Sequence, residues 1–370
     1  MRNENGITLI GLILIVLVIF IAIGAIVVLT SSDTGSEEIV AGSENYEIAD
    51  DYEEYETEEK EEEPKFDAEN IAQYLEFDYN DSEKTATLTG IKPEYTKVVD
   101  GERIPIYIQV DDYKCTELDL PSEVEKNGKK YKVTKIGDNA FSGFGSYSEF
   151  TKVVVPEGVE EIGNYAFYNC GSVYELILPS TLTIIGEYAF SKCADIVELN
   201  LPESLEKIGM HAFEDCEYLE SVKIPDGVKE IQYYLFADCE SLKNVELPDG
   251  LEYIYSGAFS DTAIEEFVIP KNTKNVFEFA IKECDNLEKL TISSGVEYID
   301  AMGIKECPNL KTVIIESGVK NIGYKNFFEC ESLTDIYCED TEKPEDWADD
   351  WYSPELTNVN VHWGNTEPEV

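Results

Sequence analysis

The sequence predicts a mainly β repeat solenoid, and two observations lead to that prediction. The phrase I-G-x-x-A-F-x-x-C-x-x-L-x-x-V-x-I-P recurs along most of the chain with a period of about 23 residues. Its phenylalanine position is filled nine times, at intervals of 26, 23, 23, 23, 23, 22, 23 and 23 residues. The nine residues are Phe141, Phe167, Phe190, Phe213, Phe236, Phe259, Ile281, Ile304 and Phe327. Because one copy cannot bury its own apolar face, neighbouring copies must stack to form a core.

Each copy contains one recognisable strand. In residues 219–224, LESVKI, the first, fourth and sixth places are apolar, and successive side chains of a strand point to opposite faces. Pro225 then ends the strand, because proline cannot donate a hydrogen bond to a β-ladder. Strands of neighbouring copies should lie side by side at the usual ~4.8 Å spacing. The sequence therefore predicts a parallel sheet along one side of the solenoid.

The repeat array is expected to cover residues 131–338, with a cap at each end. Residues 67–130 are irregular but strand-like, which predicts a β-rich N-terminal cap that merges into the first repeats. Residues 339–370 carry all three tryptophans of the chain. Their large rings can cover the last exposed repeat, so we expect a C-terminal cap there.

An anchor and a stalk are predicted before the array. Residues 7–30 contain no charged residue, and these 24 residues exceed the ~20 needed to cross ~30 Å of hydrocarbon. Residues 1–30 therefore form the predicted membrane anchor, and Arg2 lies before its apolar segment. The positive-inside rule then predicts a cytoplasmic N-terminus and an extracellular C-terminal part. Residues 31–66 hold fifteen Asp/Glu and two Lys, which predicts a disordered acidic stalk. The expected location is the cell membrane, with a single pass.

The N-terminal segment also resembles a type IV prepilin leader. A short polar piece ends at Gly6, and an apolar stretch that begins I-T-L-I follows it. This resemblance implies cleavage after Gly6 and display of the solenoid on a surface filament. Prepilins usually carry a glutamate at the fifth mature position, where this chain has Gly11. A plain signal anchor and a pilin-like filament component are therefore both open at this point.

Residues 77–340 resemble the BspA-like branch of bacterial leucine-rich repeats, whose copies read L-x-x-I-x-I-P-x-x-V-x-x-I-G-x-x-A-F-x-x-C. The resemblance implies a leucine-rich-repeat solenoid, and relatives are often bacterial surface proteins implicated in adhesion. Late copies depart from the pattern, since the proline is lost after Pro270 and the glycine of I-G is replaced four times. The replacements are Gln232, Tyr255, Phe277 and Asp300. We expect these departures to reduce regularity and to leave the fold intact.

Cysteines occupy one position of nearly every copy and should form a column. The column is Cys170, Cys193, Cys216, Cys239, Cys284, Cys307 and Cys330, with Thr262 in one place. Metal sites need tight spacings such as C-x-x-C. Strand spacing keeps neighbouring Cβ atoms near ~4.8 Å, whereas a disulfide needs ~3.8 Å. The sequence therefore predicts reduced, structural thiols, which behave as small hydrophobic groups with a weak donor.

Catalysis, cofactors and nucleic acid are disfavoured by the sequence. It has no H-E-x-x-H, P-loop, G-x-S-x-G or EF-hand motif, and its two histidines, His211 and His362, are far apart. The formal net charge of −49 opposes phosphate binding, which requires Lys and Arg. We therefore expect a non-enzyme without cofactor, metal or nucleic-acid partner. A hydrolase that uses two of the many carboxylates is a minor alternative.

Two rows of loop residues have alternative interpretations. An acidic row precedes the cysteine column: Asp215, Asp238, Asp261, Glu283, Glu306 and Glu329. Divalent cations could bridge these carboxylates, or the row is a solvated loop edge in which salt screens the repulsion. An aromatic row consists of Tyr165, Tyr188, His211 and Tyr234 and continues as Phe279 and Met302. Its rings could stack on sugars or peptides, or could pack between repeats.

The outer face of the predicted sheet is the best candidate binding surface. Its first line is Val154, Ile177, Asn200, Lys223, Glu246, Val268, Thr291, Ile314 and Tyr337. Its second line is Lys152, Glu175, Glu198, Ser221, Asn244, Glu266, Lys289, Thr312 and Asp335. Apolar residues at both ends of the first line predict an interaction site, although strand propensity alone also favours β-branched residues there. The expected partner is a protein or glycan on a cell surface or matrix, with the membrane bound through residues 7–30.

Overall fold

The computed structural model describes residues 72–93, 96–99, 102–105, 117–143 and 150–365. Strands of successive repeats stack into a β-solenoid, and these residues contain no α-helix. The predicted repeat solenoid is confirmed.

The predicted anchor in residues 7–30 and the acidic stalk in residues 31–66 lie outside the described residues. Within the described part of the chain, no helix has the length and apolar character that a membrane crossing needs.

The first row of strands, the front strands, is the one predicted from the sequence. The front strands are Glu117–Asp119, Lys152–Val154, Glu175–Ile177, Glu198–Leu199, Ser221–Lys223, Asn244–Glu246, Glu266–Ile269, Lys289–Ile292, Thr312–Ile315, Asp335–Cys338 and Asn360–Trp363. They pair in parallel and in register, so that Leu290 lies opposite Val313. Together they form the front sheet, whose inward side chains lie in the core.

A second row, the side strands, was not predicted from the sequence. The side strands are Lys129–Ile136, Glu161–Ile162, Ile184–Ile185, Lys207–Ile208, Glu230–Ile231, Tyr253–Ile254, Asn275–Val276, Tyr298–Ile299 and Asn321–Ile322. Most are two residues long, and each ends on the isoleucine of I-G or its equivalent. They form a second face, the side sheet, which starts from an antiparallel N-terminal hairpin. That hairpin consists of Leu75–Asn80 and Thr85–Ile91, and Glu123–Lys126 also pairs at this end.

Two smaller pairs complete the strands. Ile281–Lys282 pairs in parallel with Ile304–Lys305 in the late repeats. Thr96–Val99 and Glu102–Pro105 form an antiparallel pair near the N-terminal end.

The hydrogen-bonded ladders are interrupted at different repeats on the two faces. The front sheet has breaks after Glu175–Ile177 and after Asn244–Glu246. The side sheet has one break, after Lys207–Ile208. Each interruption on one face is therefore spanned by a continuous ladder on the other.

The core is a column of stacked rings. All nine residues of the phenylalanine position are buried. Successive rings from Phe141 to Phe259 stack with centroids 5.2 to 5.9 Å apart. At the C-terminal end, Trp347 and Trp351 are buried, and the Trp347 indole N–H donates to the Val319 carbonyl over 3.1 Å. These tryptophans cover the last repeats, and Asn360–Trp363 adds one more front strand.

Candidate binding surface

Both predicted lines lie on the outer side of the front sheet, and none of their residues is buried. In the first line, five residues are exposed: Ile177, Asn200, Lys223, Glu246 and Val268. Four are half-buried: Val154, Thr291, Ile314 and Tyr337. Within each unbroken ladder, the strand register brings residues of successive repeats side by side, as Thr291 lies beside Ile314 and Ile314 beside Tyr337. The arrangement is a continuous outer surface, and ligand binding there stays a prediction.

An exposed apolar patch near the start of the front sheet was only partly predicted. The patch consists of Tyr174, Ile177, Val197 and Tyr218, which are 55%, 41%, 40% and 55% exposed. Only Ile177 belongs to the predicted lines. The other three residues precede their strands, at positions where the alternation of the strand no longer distinguishes inward from outward side chains. Exposed tyrosine and aliphatic groups of this kind mark interaction surfaces.

The front sheet extends beyond the predicted lines at its C-terminal end. His362 lies beside Tyr337 in the register, and their rings stack at 4.6 Å. The His362 Nε2 atom is 2.8 Å from Asp335 Oδ1. This hydrogen bond holds the pKa of the Asp335 carboxyl below its usual value. His362 is therefore part of the outer surface, where Asp335 of the second line and Tyr337 of the first line hold its ring in place.

The aromatic row packs between repeats. Tyr165, Tyr188, His211 and Tyr234 form a ladder with ring centroids 4.3 to 5.0 Å apart. The ladder ends at Gly257, where an added Cβ would lie 2.3 Å from the Tyr234 ring. The ring faces are thus covered by one another, and the His211 imidazole, 3.1 Å from Glu214, is held inside the stack. The structure favours packing over ligand stacking for this row.

Both loop rows occupy left-handed backbone positions, which the sequence did not reveal. Tyr188, His211 and Tyr234 have φ of 52° to 57°, and Asp215 and Asp238 have φ of 58° and 59°. Left-handed backbone conformations are uncommon for residues other than glycine. The repeat therefore needs two sharp turns per copy, and these turns set the spacing of both rows.

Two glutamates of the acidic row, Glu283 and Glu306, are paired with lysines. Lys282 Nζ lies 2.7 Å from Glu283 Oε2, and Lys305 Nζ lies 2.9 Å from Glu306 Oε1. Within the described ranges, no three acidic, histidine or cysteine side chains converge as metal ligands would. Burial, followed by the charge of Glu283 and the hydrogen bond to it, raises the pKa of Asp261 to about 6. Among the described residues, the row therefore combines two lysine-paired glutamates with one close carboxyl pair, Asp261 and Glu283.

Replacing Asp261 with asparagine is expected to raise the melting temperature at about pH 8 and to change it little at about pH 4. The pKa of Asp261 in the folded chain, about 6, lies above its ordinary value of 3.8, so the ionised carboxylate destabilises the folded state. That penalty is absent below the ordinary pKa and grows as the pH rises through about 6. Thermal melts of both proteins at the two pH values measure it. Asp285→Asn, at an exposed carboxylate of the same loop edge, should show no such difference.

In the earlier copies, the cysteine column ties each repeat to the one before it. The thiols of Cys193, Cys216 and Cys239 donate to the carbonyls of the phenylalanines 26 residues upstream, over 3.2 to 3.5 Å. The column residues from Cys193 to Cys330 are buried and carry free thiols. Burial raises the pKa of the Cys216 thiol well above its usual range, which keeps it protonated and unreactive. The geometry explains why a small apolar donor suits this position.

Residues 115–242 and 207–334 match the family described as BspA type leucine rich repeat region, in six copies. The two matches overlap and together span more than half of the 370 residues. The sequence matches no curated protein.

Two solved structures share the fold. A leucine rich cell surface protein from Faecalibacterium prausnitzii A2-165 has a TM-score of 0.52 and 23% identity, over 79% of this chain and 94% of that one. A leucine-rich repeat protein from Bacteroides ovatus ATCC 8483 has a TM-score of 0.54 and 24% identity, over 72% of this chain and 70% of that one. The repeat phrase, the stacked strands and the family match agree, and the chain belongs to the BspA-type leucine-rich-repeat family.

Proposed function

We propose that the protein is a non-catalytic recognition or adhesion module of a bacterial cell surface, and that its front sheet binds a protein or glycan ligand. The observation that carries the proposal is the apolar patch of Tyr174, Ile177, Val197 and Tyr218, together with Val268, which is 54% exposed. Apolar side chains left in water on a rigid sheet are stabilised when a partner covers them. Tyrosine is also enriched at protein interfaces, which favours a protein surface as the ligand.

The charges around the patch support specificity. Lys152 Nζ lies 3.4 Å from Glu175 Oε1, and Lys223 Nζ lies 3.5 Å from Glu203 Oε1. These pairs lie at the protein surface and contribute little to stability, since surface salt bridges are worth about 0–1 kcal/mol. At the rim of an interface, they would instead steer and select the partner.

Residues 7–30 are proposed to anchor this module in the membrane, with the C-terminal part outside the cell. The support is the uncharged length of this segment and the acidic stretch in residues 31–66 that follows it. Intact-mass analysis of the membrane-extracted protein tests the anchor against the filament alternative. Retention of residues 1–6 supports the anchor, and an N-terminus at Ile7 supports a pilin-like component.

Introducing charges on the front sheet is expected to abolish ligand capture. The variant Tyr174→Glu/Ile177→Glu/Val268→Lys places charges on three exposed positions and leaves the inward residues unchanged. Full-length protein in detergent micelles is used to capture proteins and glycans from cell-surface and matrix extracts. The matched control is Tyr324→Glu, at a residue that is 49% exposed and lies outside the front sheet.

A ligand bound by the wild type and by Tyr324→Glu, but not by the triple variant, supports the proposal. Equal capture by all three proteins contradicts it, because the ligand would then bind elsewhere. Circular dichroism melts confirm that each variant is folded.

A further inference from the structure

The side sheet carries a trough where glycines stand in line. Gly186 and Gly209 follow the side strands of successive repeats, and each packs on the backbone of the repeat before it. Both glycines, together with residues of the side strands around them, line a cavity of about 660 Å³. This volume falls within the ~300–1,000 Å³ typical of small-ligand sites.

An aromatic wall closes one end of the trough. In the next repeats Gln232, Tyr255 and Phe277 hold the position of the glycine, and all three residues are half-buried. The rings of Tyr255 and Phe277 stack at 4.7 Å and 9°. Tyr233 and Tyr253 flank Tyr255, with ring centroids 4.8 and 6.0 Å away. Tyr233 is 37% exposed, so part of this four-ring wall remains open to a ligand.

Glu230 joins the trough to the wall. It lines the trough, and its Oε2 accepts a hydrogen bond of 2.6 Å from the Gln232 amide. Gln232 in turn precedes Tyr233 in the chain and holds the repeat position that Tyr255 fills in the next copy. Trough and wall therefore form one continuous surface.

The lining offers both donors and acceptors of hydrogen bonds. Acceptors come from three carboxylates, donors come from two lysines, and the Gln232 amide supplies both. The charged lining residues are Glu187, Glu206, Lys207, Lys229 and Glu230. A sugar hydroxyl can donate and accept, and the C–H face of a sugar ring is apolar and can pack on an aromatic ring.

Charge argues against other occupants. Carboxylates outnumber lysines in the trough, which disfavours an anionic ligand. A second copy of the chain is also disfavoured, because each copy has a formal net charge of −49. Neither charge argument applies to a neutral polyhydroxyl ligand.

We infer that the trough and the aromatic wall bind a neutral oligosaccharide, which lies along the trough with one sugar ring against Tyr233 and Tyr253. This site is on the side sheet and does not depend on the function proposed for the front sheet.

The test is binding of four neutral tetrasaccharides to the full chain in detergent micelles. Cellotetraose, maltotetraose, laminaritetraose and chitotetraose are titrated at up to millimolar concentration by calorimetry, with a hyaluronan tetrasaccharide as the anionic comparison. We expect at least one neutral compound to bind. Tyr233→Ala/Tyr253→Ala should weaken its affinity about tenfold or more, because the variant removes the rings on which the sugar packs. A tenfold loss corresponds to about 1.4 kcal/mol of binding free energy.

A second variant blocks the trough without touching the wall. Ile184 is half-buried and lines the trough, so Ile184→Trp should fill it and weaken binding to a similar extent. The control Tyr174→Ala/Tyr218→Ala removes two exposed rings from the front sheet and should bind as the wild type does. Thermal melts show whether each variant is folded.

Three results would overturn the inference. These are no binding by any neutral compound, tighter binding of the hyaluronan fragment, or unchanged affinity in the trough variants. If the front-sheet control alone lost binding, the oligosaccharide site would lie on the front sheet, and the function proposed above would stand while this inference fell.

Discussion

Gly209→Ala is expected to destabilise the solenoid by about 1–3 kcal/mol or more, the usual cost of overpacking a dense core. A Cβ at Gly209 would lie 2.5 Å from the backbone nitrogen of Glu187 and 2.5 Å from the carbonyl carbon of Gly186. Real Cβ contacts of this length do not occur, and backbone cannot move aside as a side-chain end can. The two repeats must therefore separate. Denaturant unfolding followed by circular dichroism measures the loss.

Gly171→Ala provides the control for Gly209→Ala. At Gly171 the nearest atom to an added Cβ is the Lys192 carbonyl oxygen at 3.8 Å, an ordinary contact. Alanine there should be neutral or stabilising by about 0.4–1 kcal/mol, because it restricts the unfolded chain. Equal losses at the two positions would show that close approach between repeats is not what the I-G glycine provides.

Phe213→Ala is expected to cost about 3–5 kcal/mol. The Phe213 side chain is fully buried, and its ring lies between those of Phe190 and Phe236, at 5.5 and 5.8 Å. Removing it leaves a cavity in the middle of the ring column and lost contacts on both sides. Because a solenoid's stability depends on contacts between neighbouring repeats, the loss weakens two interfaces at once. The free energy of unfolding in denaturant is the measurement.

Two comparisons make the Phe213→Ala result specific. Phe213→Ile should lose much less stability, because isoleucine already fills the same column position at Ile281 and Ile304. Tyr218→Ala, at a side chain that is 55% exposed, should change stability by no more than about 0.5 kcal/mol. A similar loss at Phe213 and Tyr218 would contradict the central role of the column.

The front strands could be predicted because two periods coincide in them. The 23-residue repeat identifies the copy, and alternation within LESVKI identifies which side of the strand is buried. Side strands such as Lys207–Ile208 could not be predicted, since two residues show no alternation. The turns of the repeat could not be predicted from the sequence either. Tyr188 and Asp215 adopt left-handed backbone conformations that the sequence would signal only with glycine or asparagine.

The candidate surface was predicted in part for the same reason. Ile177 and Val268 lie within strands, where outward positions can be counted from the buried neighbours. Tyr174 and Tyr218 precede their strands, and their exposure depends on how the turn after the cysteine is oriented. The trough could not be predicted without the side strands, because Gly186 and Gly209 become neighbours only through that second row of strands.

The staggered ladder breaks have a mechanical consequence when the solenoid is under tension, as it would be in the proposed adhesion role. A pull along the solenoid axis loads every joint between repeats in series, so the weakest joint sets the resistance. The front sheet is interrupted after Glu175–Ile177 and Asn244–Glu246, and the side sheet after Lys207–Ile208. No joint is interrupted on both faces. At each joint the force is carried by at least one intact ladder, and the solenoid can bend at the breaks without coming apart there.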